Sequence, residues 1–88
     1  MKIVVVRSGG ILGTAKRWEV TVDEQDDPQS WRMLVQALPW GRQPSTPPQP
    51  DRFVYRIQCA TRRVTLPEQE LVGGWRELVD RVRDAAGS

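Results

Sequence analysis

The chain matches itself at a shift of 44 residues, and this internal match restricts the fold more than any other feature. Residues 18–38 align with residues 62–82 without a gap, and 8 of the 21 aligned positions are identical. Average composition would give roughly one or two identities by chance. Similar units that each bury one face usually pack together around a shared core. The identical pairs are Val20/Val64, Thr21/Thr65, Glu24/Glu68, Gln25/Gln69, Trp31/Trp75, Arg32/Arg76, Leu34/Leu78 and Val35/Val79.

Hydrophobic spacing predicts the same three elements in each half. Residues 2–7 are dense in β-branched residues and residues 15–22 alternate between apolar and polar positions, which predicts a two-stranded hairpin. Residues 52–59 and 62–66 alternate in the same way. Apolar residues at helical spacing follow each pair of strands. They are Trp31, Leu34, Val35 and Leu38 in the first half, and Trp75, Leu78, Val79 and Val82 in the second.

The predicted fold is α+β with the element order ββαββα. It has one four-stranded antiparallel sheet with two helices packed on one face. Asp27 and Pro28 are typical of the N-cap and first residue of a helix, and Pro39 is expected to end that helix. Residues 1–88 are predicted to form a single domain. Within this domain, the match is interpreted as an internal ββα duplication. Residues 2–38 form the first unit and residues 52–86 the second, and the proline-rich loop 39–51 joins them.

The residue types that the chain lacks argue against an enzyme. It has no histidine, and Cys59 is its single cysteine. A nucleophile–base pair would then need lysine or a carboxylate as the base, and neither Lys2 nor Lys16 has an evident site around it. One cysteine forms neither an intrachain disulfide nor a Cys-type zinc site. We therefore expect no enzymatic activity, no cofactor and no metal site of the chain's own, with Cys59 as a small buried hydrophobe.

The apolar segments of the chain are short. No stretch approaches the roughly 20 apolar residues of a membrane helix. The apolar run at residues 3–6 is also shorter than the roughly 7–15 residues of a signal-peptide core. The sequence therefore predicts a cytoplasmic protein that does not bind a membrane.

The loop after the first strand has three interpretations. Its residues are Ser8, Gly9, Gly10, Ile11, Leu12 and Gly13. A phosphate-binding loop would need a helix directly after the glycines, whereas residues 15–22 are predicted to be a strand. A hairpin turn explains the glycines, because they adopt positive φ easily. Ile11 and Leu12 then either fold back onto the core or form an exposed apolar tip that binds a partner.

Trp40 and Asp51 lie on either side of the prolines, and each has two interpretations. Trp40 follows the first helix outside its apolar stripe, so it either covers the edge of the core or anchors an interface. Asp51 precedes the third strand, where it either holds the loop by a backbone hydrogen bond or contacts a partner. The carboxylates at residues 23–27 and 68–70 differ, because they lie at predicted helix starts and complement the helix dipole.

Four stretches resemble the emfourin family, in order and over almost the whole chain. They are the first strand followed by Arg7-Ser8-Gly9-Gly10, "PDRFVY" at 50–55, "RVTLPE" at 63–68 and "WRELVDRV" at 75–82. Emfourins are small bacterial inhibitors of protealysin-like proteases, which are thermolysin-type zinc metallopeptidases. The resemblance implies an inhibitor that blocks the zinc cleft of its target with two neighbouring loops.

The resemblance also implies a role for each loop. One loop presents an aspartate to the zinc of the enzyme, and the other presents hydrophobic side chains to the substrate pockets. Ile11 and Leu12 fit the hydrophobic role, and Asp51 is our choice for the aspartate. The competing aspartates are Asp23, Asp26 and Asp27. The expected partner-binding set is Ser8, Gly9, Gly10, Ile11, Leu12, Gly13, Trp40 and Asp51, on a chain expected to be a monomer.

Two other functions stay open. The same loops would also suit a general protein-interaction domain whose partner is not a protease. A weak nucleic-acid binder would use Arg17, Arg56 and Arg63 on the sheet. The net charge of +2 is small and the arginines are dispersed, which argues against nucleic acid as a partner.

Overall fold

The computed structural model describes residues 1–10, 13–41 and 52–87. The strands are β1 (Lys2–Gly9), β2 (Lys16–Thr21), β3 (Phe53–Cys59) and β4 (Arg62–Pro67). The helices are α1 (Pro28–Ala37) and α2 (Gly74–Ala85), and short 3-10 turns cover Val22–Glu24 and Glu68–Glu70. The order ββαββα confirms the predicted fold class. Ile11, Leu12 and Asp51 of the predicted site lie outside the described residues, as do residues 42–50 of the proline-rich loop.

The four strands form one antiparallel sheet in the order β2-β1-β3-β4. Val5 of β1 lies opposite Trp18 of β2 and opposite Ile57 of β3. Ile57 lies in turn opposite Val64 of β4. These paired residues share one face of the sheet, since facing positions in antiparallel strands point to the same side. Each half of the chain therefore supplies one central strand and one edge strand.

Both helices pack on the face that carries these paired residues. Val5, Ile57 and Leu78 are completely shielded from solvent. Trp18, Trp31 and Trp75 are buried as predicted. The other core residues are Ile3, Val20, Val22, Val35, Leu38, Tyr55, Cys59, Val64, Leu66, Leu71, Val79 and Val82. The predicted inward positions of the strands and of α2 are thus confirmed.

The start of α1 follows the predicted capping pattern. The Asp27 carboxylate accepts a hydrogen bond from the Ser30 backbone N–H at 3.3 Å, and Pro28 is the first helical residue. This bond satisfies one of the backbone donors that a helix leaves unpaired at its first turn. The helix ends at Ala37, two residues before Pro39.

The two helices are joined by a polar contact and a close approach. The Arg81 guanidinium donates a hydrogen bond to the Ser30 hydroxyl at 2.9 Å and lies 4.5 Å from the centre of the Trp31 ring. A Cβ placed on Gly74 would come within 2.8 Å of Leu38 Cδ2. Glycine at the start of α2 therefore lets that helix approach the end of α1.

Cys59 lies at the end of β3 with 1% of its surface exposed. Burial raises the pKa of its thiol, because the thiolate form would lose its hydration. A raised pKa reduces the thiolate fraction and hence the reactivity of the sulfur. Cys59 is therefore a packing residue, as the sequence predicted.

Neither α1 nor α2 is long and apolar enough to cross a membrane; this finding applies to the described segments of the chain.

Replacing Asp27 by alanine is expected to lower the free energy of unfolding by about 1 kcal/mol, because the Ser30 N–H loses its acceptor. Urea unfolding followed by circular dichroism measures the change. Asp26→Ala is the matched control, since Asp26 is exposed and its loss changes the net charge equally. Equal losses in both variants would contradict the capping role.

Candidate functional site

The stem of the first hairpin and the beginning of β3 lie side by side at one end of the sheet. Gly9, the last residue of β1, is paired with Phe53, the first residue of β3. The Gly10 N–H donates a hydrogen bond to the Arg52 carbonyl at 3.2 Å. Gly10 precedes Ile11 in the chain, and Arg52 follows Asp51. The described residues adjoining the two predicted loops are therefore in direct contact.

This contact depends on two glycines with positive φ. Gly9 has φ +95° and Gly10 has φ +78°. A Cβ on Gly9 would lie 2.9 Å from the Arg52 carbonyl oxygen, and one on Gly10 would lie 3.0 Å from Phe53 Cε1. The predicted positive φ values are confirmed. The close approach of β3 is a second requirement for glycine, which the sequence did not reveal.

Gly13 and Ser8 take different positions around the hairpin. Gly13 has φ +63°, is exposed, and donates its N–H to the Gly10 carbonyl at 3.1 Å. No atom lies within 4 Å of the position that a Cβ would take on Gly13. Ser8 is half-buried in β1 opposite Val54, on the sheet face away from the helices.

Trp40 contacts the helices. Its indole N–H donates a hydrogen bond to the Val35 carbonyl at 2.8 Å. Its ring meets Trp75 edge to face, with ring centres 5.1 Å apart. These contacts favour the interpretation in which Trp40 covers the edge of the core. Neither of these two contacts involves the hairpin. The role of Trp40 in binding a partner therefore stays a prediction.

Three cations surround the aromatic residues beneath the hairpin stem. The Arg7 guanidinium lies 4.4 Å from the centre of the Phe53 ring and 5.3 Å from that of Trp18. Lys16 and Arg83 lie 5.4 Å and 5.0 Å from the Trp18 ring centre. Each such contact contributes roughly 0.5–1 kcal/mol at exposed positions. Arg7 thus links the two strands that carry the candidate loops.

Glu68 holds the beginning of β3 from the second 3-10 turn. Its carboxylate accepts a hydrogen bond from the Phe53 N–H at 3.4 Å and lies 3.7 Å from Arg52 Nη1. The sequence pattern predicts a helix start at residues 68–70. The structure instead places them in a separate 3-10 turn before α2. The facing carboxylate and arginine were not predicted, because they are 16 positions apart in the chain.

Glu68→Ala is expected to speed exchange of the Phe53 amide hydrogen several-fold, because that N–H loses its acceptor, while global stability changes by less than about 1 kcal/mol. Hydrogen exchange followed by NMR measures the rate. Glu77→Ala, on the exposed surface of α2, is the control and should leave Phe53 unchanged. Equal rates in the parent and in Glu68→Ala would contradict the contact.

Two of the competing aspartates have structural partners of their own. Asp23 bonds the Met1 ammonium at 2.7 Å and also pairs with Arg32. The hydrogen bond and charge of the Met1 ammonium, with Arg32 adding to them, lower the pKa of the Asp23 carboxyl. Met1 directly precedes Lys2, the first residue of β1, whereas Gly9 is the last residue of that strand. Asp27 caps α1, and Asp26 between them is exposed.

The described residues bring together no group of three or more His, Cys, Asp or Glu side chains that could hold a metal ion. The hairpin end of the sheet instead carries two glycines with positive φ, Gly9 and Gly10, together with the Phe53 and Trp18 rings and the cations that contact them. This arrangement is suited to presenting loops to another protein.

A small α+β fold in which the stems of two loops meet at one end of the sheet is suited to binding another protein. Comparison with protein families makes this role specific. The chain belongs to the Emfourin family, whose model matches residues 5–83, nearly the whole chain. The family is one of inhibitor domains and implies a protease-inhibitor role. The comparisons with curated proteins and with solved structures found no match.

Proposed function

We propose that this chain inhibits a protealysin-like, thermolysin-type zinc metallopeptidase by placing two neighbouring loops in its active-site cleft. The observation that supports the proposal is the direct contact of the two loop stems. The Gly10 N–H bonds the Arg52 carbonyl, and Gly9 pairs with Phe53. Residues 11–12 and residue 51 adjoin these stems in the chain.

The chemistry of each loop follows from the target. A catalytic zinc of this kind has three protein ligands and an open fourth position, which a carboxylate oxygen occupies at about 2.0–2.2 Å. Asp51 supplies that carboxylate in the proposal. Ile11 and Leu12 enter apolar substrate pockets, where burying each side chain contributes about 1.5–3 kcal/mol.

The position of the stems favours Asp51 over its competitors. Asp23 forms an ion pair with the Met1 ammonium, which lies at the end of β1 opposite to Gly9. Asp27 caps α1. Using either one would require breaking its partner contacts. Asp51 directly precedes Arg52, whose carbonyl bonds Gly10 beside the aliphatic pair.

The scaffold beneath the loops reduces the cost of binding. Phe53 is contacted by Arg7 through its ring and by Glu68 through its backbone N–H. A stem fixed before binding loses less conformational freedom on association. We therefore infer that these contacts orient the loops without touching the zinc.

Titration of a purified protealysin-like enzyme with this chain tests the function. We expect inhibition of peptide hydrolysis at one inhibitor per enzyme, and no inhibition of trypsin, which has no zinc. An absence of inhibition at micromolar concentrations would contradict the proposal and favour an interaction domain with another partner.

Asp51→Ala is expected to weaken inhibition at least about tenfold, or 1.4 kcal/mol, because the zinc loses a ligand. The melting temperature should barely change. Glu77→Ala is the matched control, since its side chain is exposed on α2 and both changes remove one negative charge. If Asp51→Ala inhibits like the parent chain, the zinc-ligand assignment is wrong.

The double change Ile11→Ser and Leu12→Ser distinguishes the two interpretations of the hairpin tip. Pocket insertion predicts a large loss of inhibition with little loss of stability. A large loss of stability with inhibition retained would show that these side chains pack on the core instead.

The proposed setting is the cytoplasm of a bacterium, where a monomeric inhibitor would protect the cell from its own peptidase. Cell fractionation should find the chain with soluble cytoplasmic proteins, and light scattering should give the mass of one chain.

A further inference from the structure

The face of the sheet opposite the helices carries a shallow concavity of about 410 Å³. Val4 and Val6 of the central strand β1 form its half-buried apolar floor. We call this surface the open face. The concavity is lined by Lys2, Val4, Val6, Arg17, Gln58 and Ala60.

The open face holds more positive charge than the whole chain. The strand register places four cations and one anion there: Lys2, Arg17, Arg56, Arg63 and Glu19. Their sum is +3, whereas the chain has a net charge of +2. The rest of the chain therefore sums to −1. The arginines are dispersed in sequence, but the pleat brings them to one side.

Among the described strand residues, one carboxylate lies on the open face, and it is already paired. Glu19 pairs with Lys2 at 3.2 Å and with Arg17 at 2.7 Å. The hydrogen bond from Lys2 is the largest of the effects that lower the pKa of its carboxyl. Arg56 and Arg63 are exposed on neighbouring strands, and within the described part of the chain neither forms an ion pair.

We propose that the open face docks an acidic segment of a protein partner, with carboxylates on Arg56 and Arg63 and an aliphatic side chain over Val4 and Val6. Arginine binds carboxylates through paired hydrogen bonds. The half-buried valines favour a segment that also carries apolar side chains. Charge complementarity thus selects a peptide in which acidic and aliphatic residues alternate.

Two other occupants fit the open face less well. Single-stranded nucleic acid binds to a positively charged groove that also carries aromatic rings on which its bases stack. Phe53 and Tyr55 lie in the other register of β3, on the helix side. A second copy of the chain would bring like charges together, which is unfavourable.

The docking residues on the open face differ from those of the proposed inhibitory end, although Ser8 lies on the same face of β1. Val6, which faces Arg56, is three residues from Gly9, or about 10 Å along the strand, and Val4 is about 17 Å from it. Lys2 and Ala60 lie further still from the hairpin stem. The two proposals rest on different side chains, so failure of one proposal would leave the other intact.

The test uses a nine-residue peptide of alternating Glu and Val, titrated into the ¹⁵N-labelled chain at low salt. We expect amide shifts in β1, β3 and β4 around Val4, Arg56 and Arg63. Arg56→Glu with Arg63→Glu should weaken binding at least about tenfold, since two attractive charges become repulsive. If that variant does not fold, Arg56→Gln with Arg63→Gln is used and should weaken binding several-fold.

The matched control is Arg62→Glu with Arg76→Glu. Both residues are exposed and lie off the open face, and the net charge changes equally. The control should bind the peptide like the parent chain. Equal weakening in both double variants, shifts outside the open face, or no binding at millimolar peptide would overturn the proposal. Tighter binding of an oligothymidine than of the peptide would also overturn it.

Discussion

Leu78→Ala lowers the free energy of unfolding by about 3–5 kcal/mol in our account, the largest stability effect that we expect. Leu78 is completely buried in α2, which packs on β1 and β2. Removing a fully buried leucine side chain loses its transfer free energy and leaves a cavity. Denaturant unfolding measures the change in the free energy of unfolding.

Val72→Ala is the control for Leu78→Ala. Val72 is 62% exposed, so its truncation should cost less than about 0.5 kcal/mol. Both variants should inhibit the target fully under conditions where they are folded. A loss below about 1 kcal/mol for Leu78→Ala would contradict the core packing described above.

Gly9→Ala is expected to cost about 2–4 kcal/mol, through two effects at one position. A φ of +95° is unfavourable for a residue with a side chain. The new Cβ would also lie 2.9 Å from the Arg52 carbonyl oxygen. Relieving this overlap separates β1 from β3 and weakens the Gly10 hydrogen bond. Thermal unfolding measures the loss of stability.

Gly13→Ala separates the two effects. Gly13 also has positive φ, +63°, but a Cβ there meets no atom within 4 Å. The control should therefore cost about 1–2 kcal/mol from conformation alone. Under the proposed function, Gly9→Ala also weakens inhibition by more than about tenfold, because the loop stems separate. Equal costs in the two variants would contradict the importance of the close approach.

Local patterns were sufficient to predict the elements and their inward faces. The spacing of Trp75, Leu78, Val79 and Val82 predicted the buried stripe of α2, and all four are buried. Periodicity identifies a face because the side-chain direction repeats with the backbone. The caps of α1 were equally local, since Asp27 and Ser30 are three residues apart.

The pairing of distant segments could not be predicted with the same certainty. The pairing of Gly9 with Phe53 joins residues 44 positions apart. Alternation assigns a face to each residue of a strand, but it does not assign the neighbouring strand or the end at which β3 begins. The contact between the loop stems therefore needed the three-dimensional structure.

Arg7 and Trp40 show a second limit of sequence patterns. Arg7 occupies an inward register position on β1, between the hydrophobic positions and the hairpin. Its charge there is stabilised by the Phe53 and Trp18 rings, which come from two other strands. The signal in the sequence was that Arg7, a charged residue, occupies a position of β1 that alternation assigns to the buried face. Trp40 was ambiguous because its partners, Val35 and Trp75, come from both helices.

Sequence and family resemblance together are the basis for the roles of Ile11, Leu12 and Asp51, and these roles stay predictions. The structure adds the contact between the segments that precede and follow them. It also gives Asp23 and Asp27 other partners. The sequence already placed Arg17, Arg56 and Arg63 on the sheet; the register adds that they share one face with Lys2 and the Val4–Val6 concavity.

Competition with a small hydroxamate that binds the active-site zinc tests the central claim most directly. The inhibition constant of the chain is measured against a protealysin-like enzyme at increasing hydroxamate concentration. If the loops occupy the zinc cleft, the apparent constant should rise in proportion to hydroxamate occupancy, and a saturated enzyme should not bind the chain. An apparent constant that does not change with hydroxamate would show that the chain binds elsewhere on the enzyme and would contradict the account.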